Sequence, residues 1–202
     1  MALITRTSKG SPLTHSELDG NIAELDRRTE VSWQSQRGQL SISGIPTPPT
    51  MTLYNGIYLP SFDPDNVNEA TVTIHVPHDY VAGSDIYVHG HFLTAAATSG
   101  TVRWGFTLSW AIPNRGETVT TEQKFTTPYT SYIEHAVTSS DQDVHHIEES
   151  TAISIPYLVS ESLINMRVFR DASHVNDTYP SSVFLIVVGL TYQSHGFGTV
   201  TR

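Results

Sequence analysis

Histidine is the residue type through which this chain could most readily do chemistry, because the sequence has ten histidines and no cysteine. Without cysteine, thiolate catalysis, disulfide bonds and cysteine-ligated zinc are excluded. His89 and His91 form an H-x-H pair, and on a β-strand both rings project from the same face. A protein metal site needs a further ligand, and the chain continues with Thr94 and three alanines. We therefore predict that the chain has no metal site of its own.

Two alternatives remain for the H-x-H pair. His89 and His91 of several subunits would together hold a metal ion on a symmetry axis, or they would form ordinary hydrogen bonds at an interface. The second alternative is favoured, because a site without a third ligand in its own chain is weak. A second group, His145 and His146 beside Glu148 and Glu149, falls in a predicted loop, where we expect the side chains to be solvated.

No catalytic motif accompanies the histidines. The sequence contains no nucleophile elbow, P-loop, dinucleotide fingerprint or HExxH motif. Its 20 acidic residues include no pair whose spacing marks a glycosidase. We therefore predict a protein that is not an enzyme, with no catalytic residues and no cofactor.

The elements that would position these residues are β-strands. From Ala70 onward the chain reads as about eight strands separated by turn residues, with no helical pattern between them. The clearest is Gly100–Ala111, where apolar and polar residues alternate, and we predict that its apolar side fills the core: Val102, Trp104, Phe106, Leu108 and Trp110. This pattern predicts an all-β fold, an antiparallel jelly-roll-like β-sandwich over residues 67–202.

The segment Val183–Leu190 differs from an ordinary sandwich strand, because both of its faces are apolar. Antiparallel strands normally have one polar face, so a strand of this kind needs cover on both sides. The leader and linker, or another subunit, could supply the second cover. The low fraction of charged residues, 15%, favours another subunit, and the predicted interface residues are Phe184, Ile186, Val188 and Leu190.

A short helix is predicted near the N-terminus. Thr14 and Glu17 have the spacing of a capping box, and Leu13 and Leu18 that of a hydrophobic staple. With Ile22 and Leu25 continuing at helical spacing, we predict a helix over residues 15–28. Residues 1–30 would then be a docking or oligomerisation segment, formed by Leu13, Thr14, Glu17, Leu18, Ile22 and Leu25.

Residues 31–66 are rich in proline and glycine, which disfavours helices and central strands. We predict a linker, in which residues 39–42 and 52–59 could add to a sheet edge. The formal net charge of −9 argues against nucleic acid as a partner. No apolar run resembles a signal peptide or a membrane span, so we expect synthesis in a cytoplasm and no membrane insertion.

Two parts of the sequence resemble bacteriophage virion proteins. The leader reads K-G-S-P-L-T-H-S-E-L-D-G-N from Lys9 to Asn21, and it is similar to N-terminal segments of tail fibres and related appendages, which often read K-G-x-x-L-T-x-x-E-x-D-x-N. The body resembles small phage structural domains, and the matching pieces are residues 88–91, 100–106, 166–171 and 174–178, with Tyr192 followed by Gly198 and Thr199.

The resemblance implies a homotrimeric, non-enzymatic virion appendage, made in the host cytoplasm, that docks to other virion proteins through residues 1–30. A tail fibre is the first expectation, and a head decoration, head fibre or collar protein is the alternative.

Two other functions compete with this one. A glycan-binding module would use tyrosines in turn and linker regions, and a host-surface glycan is also an expected partner of an appendage. The candidate tyrosines are Tyr54, Tyr58, Tyr80, Tyr129, Tyr132 and Tyr179. A cupin-like metal enzyme would use the H-x-H pair, with Gly83 six residues before His89, but the later glutamate and histidine of the cupin motifs are missing.

Overall fold

The chain folds as two antiparallel β-sheets packed face to face. The computed structural model describes residues 9–19, 21, 32–116, 118 and 120–195. The strands in chain order are β1 Ser32–Arg37, β2 Gln39–Ser41, β3 Thr50–Tyr54, β4 Ile57–Phe62, β5 Glu69–His75, β6 Ile86–Thr94, β7 Gly100–Ala111, β8 Tyr129–Val137, β9 His145–Glu149, β10 Leu163–Arg170 and β11 Val183–Ser194. The predicted all-β sandwich is thereby confirmed.

One sheet has the order β3-β4-β11-β6-β9, and β1 also pairs with β11; the other has the order β2-β5-β10-β7-β8. All pairings between these strands are antiparallel. The core lies between the sheets, and the apolar face of β7 lies at its centre. Val102, Trp104, Phe106 and Leu108 are fully buried, whereas Trp110 is partly buried at the margin.

The linker prediction was wrong for most of residues 31–66. Four strands, β1 to β4, lie there, and each belongs to one of the two sheets. The prolines do not prevent this, because most of them lie between strands and only Pro60 is inside one. Asn55 and Gly56 have φ values of 47° and 85°, which fits the two-residue turn that joins β3 to β4. The extended pieces expected at 39–42 and 52–59 coincide with β2 and with the β3–β4 hairpin.

The two-faced strand is explained by a β-bulge in β11. Leu185 pairs with Phe92 and Val187 with His91, so Ile186 is an extra residue. Because side chains alternate with a period of two, one extra residue moves the following residues to the opposite face. Val188 and Leu190 therefore belong to the core, and their prediction as interface residues was wrong.

The other two residues of the predicted interface lie on the outer side. Phe184 is covered by the ring of Tyr54, with which it stacks at a centroid distance of 4.7 Å. Ile186 remains 41% exposed. Of the four predicted interface residues, only Ile186 is therefore left exposed.

The leader contains the predicted helix start. Residues 15–19 are helical; the Thr14 amide donates to Glu17 Oε2 at 2.7 Å, and the Glu17 amide donates to Thr14 Oγ1 at 3.2 Å. These two bonds form the capping box. Leu13 is partly buried and Leu18 is exposed, while Ile22 and Leu25 lie outside the described residues. In the described part of the chain, no helix is long and apolar enough to cross a membrane.

Candidate functional site

Three histidines form one cluster on the outer face of the first sheet. His89 and His91 alternate along β6, and β9 places His145 beside them through its pairing with β6. His91 Nδ1 lies 2.9 Å from His145 Nε2, and the His89 and His91 rings lie 5.3 Å apart between centroids. The predicted loop at 145–149 was therefore wrong. The sequence HHIEE lacks the alternation of apolar residues that normally marks a strand. It still forms β9, because an edge strand whose side chains are exposed or half-buried does not need such a pattern.

The His89 ring is held at the junction of three strands. Its Nε2 lies 3.3 Å from Ser35 Oγ of β1, and its Nδ1 lies 3.3 Å from Thr191 Oγ1 of β11. Gly189 gives it room, because a Cβ there would lie 2.6 Å from His89 Nε2. Burial lowers the pKa of His89, although Glu149 opposes this shift. Burial and the neighbouring His89 and His145 lower the pKa of His91 as well. This cluster is a hydrogen-bonded surface within one chain; that it lies at an interface between subunits, as the favoured interpretation of the H-x-H pair expected, stays a prediction.

A second pair, His135 of β8 and His146 of β9, lies on the inner side at the open end of the sandwich. The two ring centroids are 4.4 Å apart, and both rings contact Phe92. His135 Nδ1 lies 2.6 Å from Glu148 Oε1, while the Nε2 atoms of both rings are buried without a hydrogen-bond partner. Burial and His135 lower the pKa of His146, against Asp141 and Glu148.

Neither cluster assembles a metal centre. Within the described residues, no group of three or more histidine, cysteine, aspartate or glutamate side chains has a geometry that could hold a metal ion. In the outer cluster His91 and His145 are hydrogen-bonded to each other, and the two nitrogens of His89 lie near hydroxyls. The lowered pKa values of His89, His91 and His146 mean that these rings accept protons at a lower pH than an ordinary histidine does.

A groove of about 440 Å³ crosses the outer face of the second sheet. It lies over β5, β7 and β10, and its lining is mostly short and polar: Thr71, Val72, Thr73, Thr107, Ser109, Pro128, Asn165, Met166 and Arg167. Thr73 Oγ1 donates to Asn165 Oδ1 at 3.1 Å, and Arg167 pairs with Glu69 at 2.9 Å. Sequence reasoning missed this groove, because its residues come from three strands whose order is not visible in the sequence.

Arg167 of the groove belongs to a row of stacked cations and aromatic rings on the same outer face. The guanidinium of Arg167 lies 4.4 Å from the ring centroid of Phe169, and that of Arg103 lies 4.1 Å from the centroid of Tyr132. Gly105 leaves the space that the Phe169 ring occupies, since a Cβ there would lie 2.2 Å from Phe169 Cζ. Tyr132 remains 45% exposed. The outer face of the second sheet therefore carries an exposed aromatic ring as well as the hydroxyl-rich floor of the groove.

The proposed tyrosine platform does not form. Tyr80 and Tyr179 are buried in the core, and Tyr54 lies against Phe184. Tyr58, Tyr129 and Tyr132 are exposed, but Tyr58 lies in the first sheet and the other two in the second. Their prediction as one joint sugar-binding surface was wrong, because six tyrosines spread over the sequence carry no information about which face each will occupy.

The leader forms a small structure of its own. In the described part of the chain, all hydrogen bonds of residues 9–19 join residues of that segment to one another. The ammonium of Lys9 bonds the Glu17 carboxylate, and together with the bonds from Thr14 it lowers the pKa of Glu17 to about 2. Leu18 is 48% exposed. The apolar side of the capped turn is thus uncovered at Leu18.

Comparisons with known proteins give likenesses of architecture. No protein-family model matches the sequence, and no curated protein is similar to it. Among solved structures, dimeric latent PorU from Porphyromonas gingivalis aligns with a TM-score of 0.38 and 11% identity, over 81% of this chain and 13% of that one.

TmCBM61 in complex with β-1,4-galactotriose aligns with a TM-score of 0.30 and 10% identity, over 79% of this chain and 88% of that one. Arabinose-bound MgGH51 α-L-arabinofuranosidase aligns with a TM-score of 0.31 and 13% identity, over 91% of this chain and 24% of that one. This chain thus spans a small part of PorU and of the arabinofuranosidase, and at these identities the likeness assigns no activity to it.

Proposed function

We propose that this chain is a non-enzymatic structural protein of a bacteriophage virion, a homotrimeric tail fibre or similar appendage. The observation that carries the proposal is the leader. Its sequence resembles the docking segments of phage appendages, and residues 9–19 fold as a capped turn whose described hydrogen bonds are all internal. A segment built in this way suits docking to another virion protein. A head decoration, head fibre or collar protein would dock in the same manner.

The partner would contact the apolar side of the capped turn. Leu18 is 48% exposed, and burying a leucine side chain fully contributes about 1.5–3 kcal/mol. The Lys9–Glu17 ion pair and the capping box hold the turn in shape before docking. Little conformational entropy would then be lost on binding.

The proposal is tested on virions of the phage whose genome encodes the chain. Mass spectrometry of purified particles should find the chain in a copy number divisible by three, and particles made with Leu18→Asp should lack it. Val175→Asp, at an apolar position that is 84% exposed in the loop between β10 and β11, is the matched control and should be incorporated normally. Wild-type particles without the chain would overturn the proposal.

Glycan binding is a second candidate, and the groove on the second sheet favours it. Hydroxyls and an amide line its floor, and the exposed ring of Tyr132 lies on the same outer face of the second sheet. Oligosaccharides are bound by such combinations of hydrogen-bonding groups and aromatic faces. In a glycan array, binding that is lost in Asn165→Ala and retained in Tyr157→Ala, an exposed tyrosine outside the groove, would support this function. A wild-type protein that binds no glycan on the array would exclude it.

A further inference from the structure

Among the described residues, strand β3 is an edge of the first sheet, and it lacks the usual protection of such edges. Exposed edge strands are normally short, charged, bulged or covered, because their unpaired main-chain groups invite pairing with another chain. The other edge strands of the described part have such features: β2 has three residues, β1 contains Arg37, β8 contains Glu134, and β9 contains Glu148 and Glu149. Strand β3, with the sequence TMTLY, has five residues, no charge and no proline.

The lack of charge extends well beyond β3. Residues 38–62 contain no aspartate, glutamate, lysine, arginine or histidine, in a chain whose formal net charge is −9. Two copies of an acidic chain repel one another on average. An approach through residues 38–62 brings no like charges into contact, so this segment is where two copies meet at the lowest electrostatic cost.

Apolar side chains are exposed on both faces of the β3–β4 hairpin. Met51, Leu53 and Tyr58 share the face that carries Pro60 and Phe62, and they are 45%, 58% and 67% exposed. These three side chains lie on the face of the first sheet that also carries the buried Phe62, but the second sheet does not extend over them. Ile57, on the opposite face, is 57% exposed. Such a cluster is costly in water and is typical of an interaction surface.

The main-chain pattern of β3 is complementary to itself. The two-residue turn at Asn55 and Gly56 is closed by the Tyr54–Ile57 pair, so hydrogen-bonded pairs to β4 occur at Tyr54, Thr52 and Thr50. The N–H and C=O groups of Met51 and Leu53 consequently point away from β4. An antiparallel copy centred on Thr52 places Met51 opposite Leu53 of the second copy, and these outward groups then form four hydrogen bonds.

Side chains also match in this register. Met51 and Leu53 of the two copies lie side by side on one face, and the two Thr52 residues face each other on the other. Apolar pairs and threonine pairs across neighbouring strands are both favourable. The same patch serves both partners, which is the condition for a two-fold interface.

We propose that two copies of this chain associate through β3 strands paired antiparallel about a two-fold axis at Thr52, which joins their first sheets into one continuous sheet. The contact is independent of the leader and of any three-fold axis. It requires an even number of chains: a dimer if β3 alone assembles the protein, or a hexamer if two of the proposed trimers are joined.

Light scattering of the purified full-length chain tests this pairing. Leu53→Pro removes an N–H that points away from β4, so the hairpin is retained while the contact between copies loses hydrogen bonds. Leu53→Lys leaves the main chain intact and brings two like charges together. Ile147→Lys, at an exposed position of the opposite edge strand, is the matched control. Circular dichroism confirms that each variant is folded.

The wild type and Ile147→Lys should have the mass of an even number of chains, and both Leu53 variants should have half that mass. A wild-type monomer or trimer, or Leu53 variants that keep the full mass, would overturn the pairing. A trimer unaffected by these variants would contradict only the β3 contact and leave the virion proposal standing. A dimer halved by them would support the contact whatever the chain's place in a virion.

Discussion

At the scale of single residues, the most constrained charge in the described part is Arg170. Its side chain is fully buried, and its guanidinium pairs with Asp177, whose side chain is 1% exposed. It also donates to the carbonyl oxygens of Ser181 and Tyr179. These bonds tie the end of β10 to the loop that leads into β11. The arrangement satisfies a buried cation completely, which is what makes such a cation tolerable in a core.

Removing the partner of Arg170 should therefore be severe. Asp177→Ala leaves the buried guanidinium without its counter-charge, and we expect the free energy of unfolding to fall by about 3–5 kcal/mol. Arg115→Ala, which breaks a largely exposed pair with Glu161, is the control and should cost no more than about 1 kcal/mol. Urea denaturation measures both. Similar losses in the two variants would contradict this account of the Arg170 site.

The histidines make stability depend on pH. The pKa values of His89, His91 and His146 are lowered in the folded chain, so the unfolded chain binds more protons as pH falls. The contribution of these histidines to the free energy of unfolding is complete above the ordinary histidine pKa of about 6.5. It is lost as pH falls from that value towards the lower pKa values of the folded chain. Unfolding free energies measured at pH 8 and pH 5.5 should show this loss. The double variant His91→Asn, His146→Asn should have a flatter profile; an unchanged slope would contradict the assignment.

At the scale of elements, the bulge in β11 decides which residues reach the core. Deletion of Ile186 removes the extra residue and leaves a regular alternation in which Val188 and Leu190 still face the core, so the deletion variant should remain folded. Insertion of one threonine between Val187 and Val188 instead turns both side chains outward. Each then loses about 1.5–3 kcal/mol of burial, so we expect the insertion variant to melt at a much lower temperature or not to fold. Thermal denaturation followed by circular dichroism compares the two variants with the wild type, and an insertion variant as stable as the wild type would contradict this account of the strand.

The same element shows where sequence reasoning reached its limit. Strand β7 could be predicted because its alternation is uninterrupted, and its buried face follows directly from the period of two. In β11 every residue from Val183 to Val188 is apolar, so no alternation marks the residue at which the phase changes. The bulge is a property of its pairing with β6 and becomes visible only when both strands are placed.

Candidate sites were predictable to the extent that they are local. The capping box depends on two residues three positions apart, and its two hydrogen bonds form as expected. The groove and the histidine clusters depend on which strands become neighbours. His91 and His145, for example, are 54 residues apart in sequence, and a single sequence contains no signal of their contact.

At the scale of the whole molecule, β1 connects the leader to the sandwich. It pairs with β11 from Ser32 to Arg37, so a truncation meant to remove only the leader must retain residue 32. A chain that begins at residue 30 should keep the melting temperature of the full chain. A chain that begins at Gly38 exposes the edge of β11 and should melt lower or aggregate. Equal melting temperatures in thermal denaturation would mean that β1 adds nothing to the fold.

The pairing of β1 with β11 has a consequence for engineering. Ser32 and Ser194 are register partners at one end of this ladder. The first residue of β1 and the last residue of β11 therefore lie next to each other at one end of the sandwich. A short glycine-rich connection from residue 194 to residue 32 would therefore close the backbone into a loop, and the Asn55–Gly56 turn offers an exposed place to open it. Circular permutants of this kind would carry their new ends at the β3–β4 hairpin, where a fused peptide would be displayed on the exposed turn.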